Sequence, residues 1–139
     1  MDILLLIFFA LILVFGIVVF VILVSRGKSS SVMNVDKFRS SWLSIEQSLK
    51  KDQPATYVVC IMEADKLLDY ALKQRGFKGE TMGERMKAAQ TSWKDANVVW
   101  KAHKLRNQLA HEQNVHLRYD QTRGALACFK QGLKDLGAI

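Results

Sequence analysis

Asp95-Ala-Asn-Val-Val-Trp-Lys-Ala-His-Lys-Leu-Arg-Asn-Gln-Leu-Ala-His-Glu112 is the stretch from which the fold is read. Within it Val99, Ala102, Leu105 and Leu109 recur every three or four residues. An α-helix turns once in about 3.6 residues, so these side chains share one face. The spacing predicts a long helix that begins near Asp95 and closes at His111-Glu-Gln-Asn114. Its other side is polar. His103, Asn107 and His111 are each four positions apart, which lines them up as a stripe. Arg106 is one position from Asn107, about 100° round the axis, so it flanks the stripe. Arg106 and His111 differ by five positions, roughly 140° on an ideal helix. To share one target, either the helix ends near Ala110 and swings His111 round, or two copies of the helix meet.

The same period runs outward from this helix. Asn34 or Asp36 caps a helix in which Val35, Phe38, Trp42, Ile45 and Leu49 repeat, ended by Lys50-Lys-Asp52. Pro54 suits the first turn of the next one. That helix runs to about Arg75, with Val58, Ile61, Met62, Leu68 and Leu72 facing inward and Gly76 just past its end. Thr81-Met-Gly-Glu84 has capping-box spacing and opens a short helix through about Ala89. The last helix, over residues 118–136, carries Tyr119, Thr122, Leu126, Phe129, Leu133 and Leu136, with Gly137 as its cap. No stretch alternates with period two between turns, so no sheet is expected. The expected fold class is all-α: an N-terminal transmembrane helix followed by an antiparallel four-helix bundle with one extra short helix.

The transmembrane expectation comes from residues 3–24, an unbroken apolar run with Gly16 as its only residue of intermediate character. Roughly 20 such residues cross a hydrocarbon core, and a signal-peptide core is shorter, about 7–15. No basic region precedes the run and no small-x-small cleavage site follows it. It therefore reads as an anchor that is kept. Arg26 and Lys28 follow the span, so the positive-inside tendency puts the N-terminus outside and the remainder in the cytoplasm. The organisation expected is an anchor over residues 1–25, a Gly/Ser/Lys linker over 26–33 and the bundle over 34–139.

All 20 Lys and Arg follow residue 25, against 12 of the 13 acids, so this portion carries a net charge of +8. The excess favours polyanions: RNA, DNA or an anionic membrane leaflet. A domain held beside anionic lipid is also basic for that reason alone. Cys60 and Cys128 each sit within an apolar helical pattern, without Cys-x-x-Cys or Cys/His ligand spacing. They read as buried free thiols in a reducing compartment, and neither a metal nor a cofactor is expected.

A guanidinium and an imidazole are a fixed cation and a group that exchanges protons near neutrality. Together they suit phosphodiester cleavage. The guanidinium holds the scissile phosphate and stabilises its developing charge. A neutral imidazole takes the proton from a ribose 2′-hydroxyl. That oxygen attacks phosphorus, leaving a cyclic phosphate and a free 5′-hydroxyl. DNA has no such hydroxyl and resists. Arg106-Asn107-x-x-x-His111 resembles the Arg-polar-spacer-His signature of the HEPN superfamily, helical-bundle domains of prokaryotes and eukaryotes. The resemblance covers residues 36–136. It implies a homodimer with two motifs facing across the interface. It also implies a metal-independent endoribonuclease, or a domain that binds RNA or a nucleotidyltransferase without cutting. On this resemblance Arg106 and His111 are catalytic and Asn107 orients or assists. An accessory acid comes from an earlier helix, Glu63 or Asp65. The membrane anchor departs from the soluble members.

Structural roles stand beside these. His111 near a helix C-terminus interacts with the helix dipole. Arg106 pairs with Asp65 or Asp69 across the bundle, giving an adaptor or dimerisation domain without chemistry. Asp65 lies between Ile61 and Leu68 on a mostly apolar face and needs a partner, with Arg106 the nominee. His103 reads as a solvated helix residue, and only secondarily as an accessory base. Trp42 belongs to the core, whereas Trp93 and Trp100 suit a dimer contact or a platform for unpaired bases.

Overall fold

The computed structural model describes residues 3–25, 32–112 and 115–139, with the side chains of residues 4, 6 and 23–25 undescribed. Every regular element among them is helical, and no strand occurs. The elements are α1 (Ile3–Ser25), α2 (Val35–Ser48), α3 (Ala55–Gln74), α4 (Met82–Ala88), a 3₁₀ turn (Gln90–Ser92), α5 (Ala96–His111) and α6 (Tyr119–Asp135). The chain divides into two compact units, Met1–Ser30 and Ser31–Ile139.

In the first unit α1 is 23 residues long, carries no charged side chain and has no polar face. All its described side chains are exposed. Among the described residues no helix is long and apolar enough to cross a membrane. The linker expected over 26–33 lies, for residues 26–31, outside the described residues.

The second unit is a helical bundle whose ends are set by local chemistry. Asn34 caps α2, its side-chain oxygen accepting from the Lys37 amide at 3.0 Å. Pro54 stands at the N-cap of α3, one position earlier than expected. α3 ends in a Schellman motif: the Gly76 amide donates to the Lys73 carbonyl at 3.0 Å and the Phe77 amide to the Leu72 carbonyl at 3.1 Å. Thr81 and Glu84 form the expected capping box at α4. α6 closes as α3 does, through the Gly137 and Ala138 amides, with Gly137 at φ +64°. A Cβ at Gly137 would stand 2.6 Å from Arg75 Nη2, so the close approach reinforces the need for glycine.

Contacts between helices give their directions. Phe38 early in α2 stacks on Tyr70 late in α3, and the Cys60 thiol early in α3 donates to the Ile45 carbonyl late in α2. These two helices are therefore antiparallel. α5 and α6 are antiparallel too, because Asp135 late in α6 accepts from the Lys94 amide just before α5. Tyr57 and Tyr119 meet at the starts of α3 and α6, while Arg75 at the end of α3 caps the Leu136 and Gly137 carbonyls. α3 and α6 thus run parallel and in contact, as diagonal members of an up-down-up-down bundle. Gly132 permits this approach: a Cβ there would lie 3.3 Å from both Leu68 and Val99.

α3 is the central helix, packed against α2, α4, α5 and α6. Its Cys60, Ile61, Ala64, Leu68, Ala71 and Leu72 are buried, with Phe38, Trp42, Phe129 and Leu133 around them. Val58 and Met62, expected inside, are half-buried, because they lie about 60° and 100° round the axis from Ile61, at the margin of the buried face. Leu105, Leu109 and Tyr119 are half-buried as well. Trp93 is core rather than surface: it is 7 % exposed and its indole N–H donates to the Met86 carbonyl at 3.1 Å. Both cysteines are free, Cys60 buried and Cys128 half-buried, and burial pushes both thiols up from their ordinary pKa. At the surface Lys130 of α6 pairs with Glu46 of α2 at 2.6 Å and holds that carboxyl below the usual range.

Candidate functional site

The side of α5 turned toward α3 is where the polar residues gather. Asp95 caps α5, accepting from the Asn97 amide at 2.9 Å. Two and three turns further on, the three- and four-residue spacings bring His103, Arg106 and Asn107 to one side of the helix. Facing them from the middle of α3 is Asp65, 4 % exposed among apolar neighbours. A carboxylate so placed needs compensation. His103 Nδ1 lies 2.7 Å from Asp65 Oδ1 and Arg106 Nε lies 3.2 Å from Asp65 Oδ2. Arg106 Nη1 donates to Asn107 Oδ1 at 3.1 Å, and Asn107 Nδ2 is 3.2 Å from His103 Nε2. The four side chains therefore close a ring: Asp65, His103, Asn107, Arg106 and back to Asp65.

The ring is buried on its inner side. His103 is 8 % exposed, and Trp100 covers it edge-on with ring centres 6.1 Å apart. The Arg106 N–H at Nε is buried and forms no aligned hydrogen bond, so its contact with Asp65 is an ion pair. The Arg106 side chain remains 36 % exposed. Its inner edge is anchored and its outer edge meets solvent.

His111 is the last residue of α5 and is exposed, with no hydrogen-bond or ion-pair partner among the described residues. The helix does not end at Ala110 to bring His111 round, because its last turn stays regular and the Glu112 amide still donates to the Gln108 carbonyl at 2.8 Å. Arg106 and His111 are therefore left on different sides of one helix, and of the two expected routes only the pairing of two chains remains. Residues 113 and 114 of the expected helix close lie outside the described residues.

Several sequence expectations need correcting. Glu63 is not at the ring: it is exposed and sits 3.9 Å from Lys66. Two positions from Asp65 is about 200° of helix, so the two acids face opposite ways. His103 is buried and hydrogen-bonded rather than solvated, because the carboxylate that draws it in comes from another helix. Asp69 does not pair with Arg106. It is held by Arg85 at 2.7 Å and Lys73 at 2.7 Å. Arg85 went unnoticed in the sequence although it is only 7 % exposed. It also donates to the Gly79 and Glu80 carbonyls at 2.7 and 3.2 Å, clamping the loop before α4. Also unforeseen is a cavity of about 890 Å³ between α5 and α6, lined by Trp100, Lys104, Leu105, Leu117 and Cys128 among others. Among the described residues no three His, Cys, Asp or Glu gather to hold a metal ion. Compared with known proteins, the chain matches no family model, no curated protein and no solved structure.

Proposed function

We propose that this chain is a membrane-tethered, HEPN-like RNA-binding domain that cuts RNA without a metal when two copies pair. Residues 3–24 are the tether. The helical backbone of α1 spans 23 residues, about 34 Å at 1.5 Å per residue, against a hydrocarbon core of about 30 Å. Arg26 and Lys28 then favour a cytoplasmic bundle and an outside N-terminus. The observation that carries the RNA reading is the set of Arg106. Asp65 and Asn107 fix the inner edge of its guanidinium and leave the outer edge exposed, on the same helix as an exposed His111. An anchored guanidinium loses little freedom when it takes a phosphate in its fork. In the paired state Arg106 of one chain holds the phosphate and His111 of the other takes the 2′-hydroxyl proton.

The test uses the chain in detergent micelles, single-stranded RNA and a chelator. Cleavage is expected, with cyclic phosphate and 5′-hydroxyl ends and no action on DNA. His111→Ala is expected to lose about 10²-fold or more in rate. Mixing Arg106→Ala chains with His111→Ala chains restores activity that neither has alone, since the mixed dimer holds one complete site. Cleavage that persists in His111→Ala refutes the assigned roles.

A second reading is favoured by the ring itself, which spends most of its hydrogen-bonding capacity inward. In that reading the domain is a non-catalytic, membrane-anchored dimerisation or adaptor module. It predicts a stable dimer that cuts nothing and in which Arg106→Ala disturbs association.

A further inference from the structure

We infer that His103 is a positioning residue for Arg106, acting through Asn107, and that it holds the guanidinium in place only while its imidazole is neutral. The donors and acceptors round the ring fix where each proton lies. Arg106 has donors only, so the Asn107 atom 3.1 Å from its Nη1 is the amide oxygen. The amide nitrogen of Asn107 then faces His103 Nε2 at 3.2 Å and donates to it. That ring nitrogen must carry a lone pair. The remaining proton of a neutral imidazole is therefore on Nδ1, where it is donated to Asp65 Oδ1 at 2.7 Å. Asp65, acceptor only, presents its other oxygen to Arg106 Nε at 3.2 Å. Each of the three hydrogen-bonded links then has one donor and one acceptor, the Arg106–Asp65 contact being an ion pair, and no other assignment does this.

A second proton on His103 breaks the pattern. An Nε2–H would face the Asn107 amide N–H₂. Turning that amide over cures this contact but sets the N–H₂ against Arg106 Nη1. No orientation of Asn107 serves both neighbours, so the ring opens at Asn107 and Arg106 loses one of its two anchors. The charged groups around His103 are Asp65 from α3 and Arg106 from α5 itself. Trp100 covers the ring edge-on, and among the described residues α4 and α6 direct no ion pair or hydrogen bond at His103. A second proton on His103 therefore exchanges a positioned guanidinium for a closer His103–Asp65 ion pair.

The consequence for RNA rests on the function proposed above, but the protonation of the ring does not. The experiment is nitrogen NMR on the full chain in micelles, labelled at His, Asn and Arg, through the imidazole range of about pH 8 to 5. At the alkaline end His103 is expected as the Nδ1–H form. As it gains its second proton, the Asn107 amide and the Arg106 Nη1 protons should lose exchange protection with the same midpoint. An Nε2–H form at the alkaline end, or Arg106 protection indifferent to the titration of His103, overturns the inference.

Asn107→Asp makes the test sharper. A carboxylate accepts from both Arg106 Nη1 and an Nε2–H, so the ring now closes with His103 charged. Arg106 protection should then persist in acid and the His103 midpoint should rise by about one pH unit or more. Protection that still falls in acid in this variant also overturns the inference. If Asn107→Asp fails to fold by circular dichroism, the wild-type titration decides alone. Binding of a short RNA should weaken in parallel with Arg106 release. Absence of RNA binding at every pH removes the RNA reading and leaves the ring result standing.

Discussion

Asp65 is the residue on which the polar centre turns. It is buried, ionisable, and answered by two side chains from α5. Replacing it with Asn keeps the shape but removes the charge that faces Arg106 and one of the acceptors. Hydrogen bonds to charged groups contribute about 1.5–3 kcal/mol. Asp65→Asn is therefore expected to lower stability by roughly 2 kcal/mol, read as a fall in the denaturant midpoint, and to weaken RNA binding with it. Unchanged stability and unchanged binding together would show that the carboxylate is not the anchor of Arg106. The need of Asp65 for a partner was legible in the sequence, because a carboxylate on an apolar stripe cannot stay unanswered. The identity of the first partner was not. Which of His103 and Arg106 comes within 2.7 Å depends on how α5 is rotated against α3, and no spacing within one helix encodes that.

At the scale of elements, helix existence was legible almost throughout, because apolar residues three and four apart leave a signal that local sequence carries by itself. The caps were equally plain: Asn34, Thr81 with Glu84, and the glycines after α3 and α6 stand where their hydrogen bonds require. The α3–α4 connection was not legible, since its order comes from a residue beyond it. Arg85 reaches back to the Gly79 and Glu80 carbonyls and across to Asp69. Arg85→Met removes three acceptors' donor at once and leaves a carboxylate only partly compensated by Lys73. A loss of about 3 kcal/mol is expected, as for other broken buried pairs, with faster amide exchange confined first to residues 77–81. Arg85→Lys should retain part of this, because one ammonium cannot span all the acceptors. Equal stability of Arg85→Met and the wild type would mean the clamp contributes nothing.

For the whole molecule, the question is how a basic bundle and an apolar helix share one chain. The bundle portion carries +8, and α1 carries no charge. If α1 is an anchor, the chain stays with the membrane through alkaline carbonate extraction, whereas residues 32–139 alone are released. Extraction of the full chain by carbonate would end the tether proposal. What the amino-acid sequence determined by itself is what a local pattern can carry: the periodicity of the bundle helices, their caps, the apolar run over residues 3–24 and the excess of positive charge. What only the tertiary structure decided is which side chains from different helices meet. The parallel contact of α3 with α6 through Gly132, the burial of His103 and Trp93, and the closure of the ring on Asp65 all follow from helix rotation and approach. Those are settled by packing of the whole core at once, and no stretch of the chain contains enough of the core to set them.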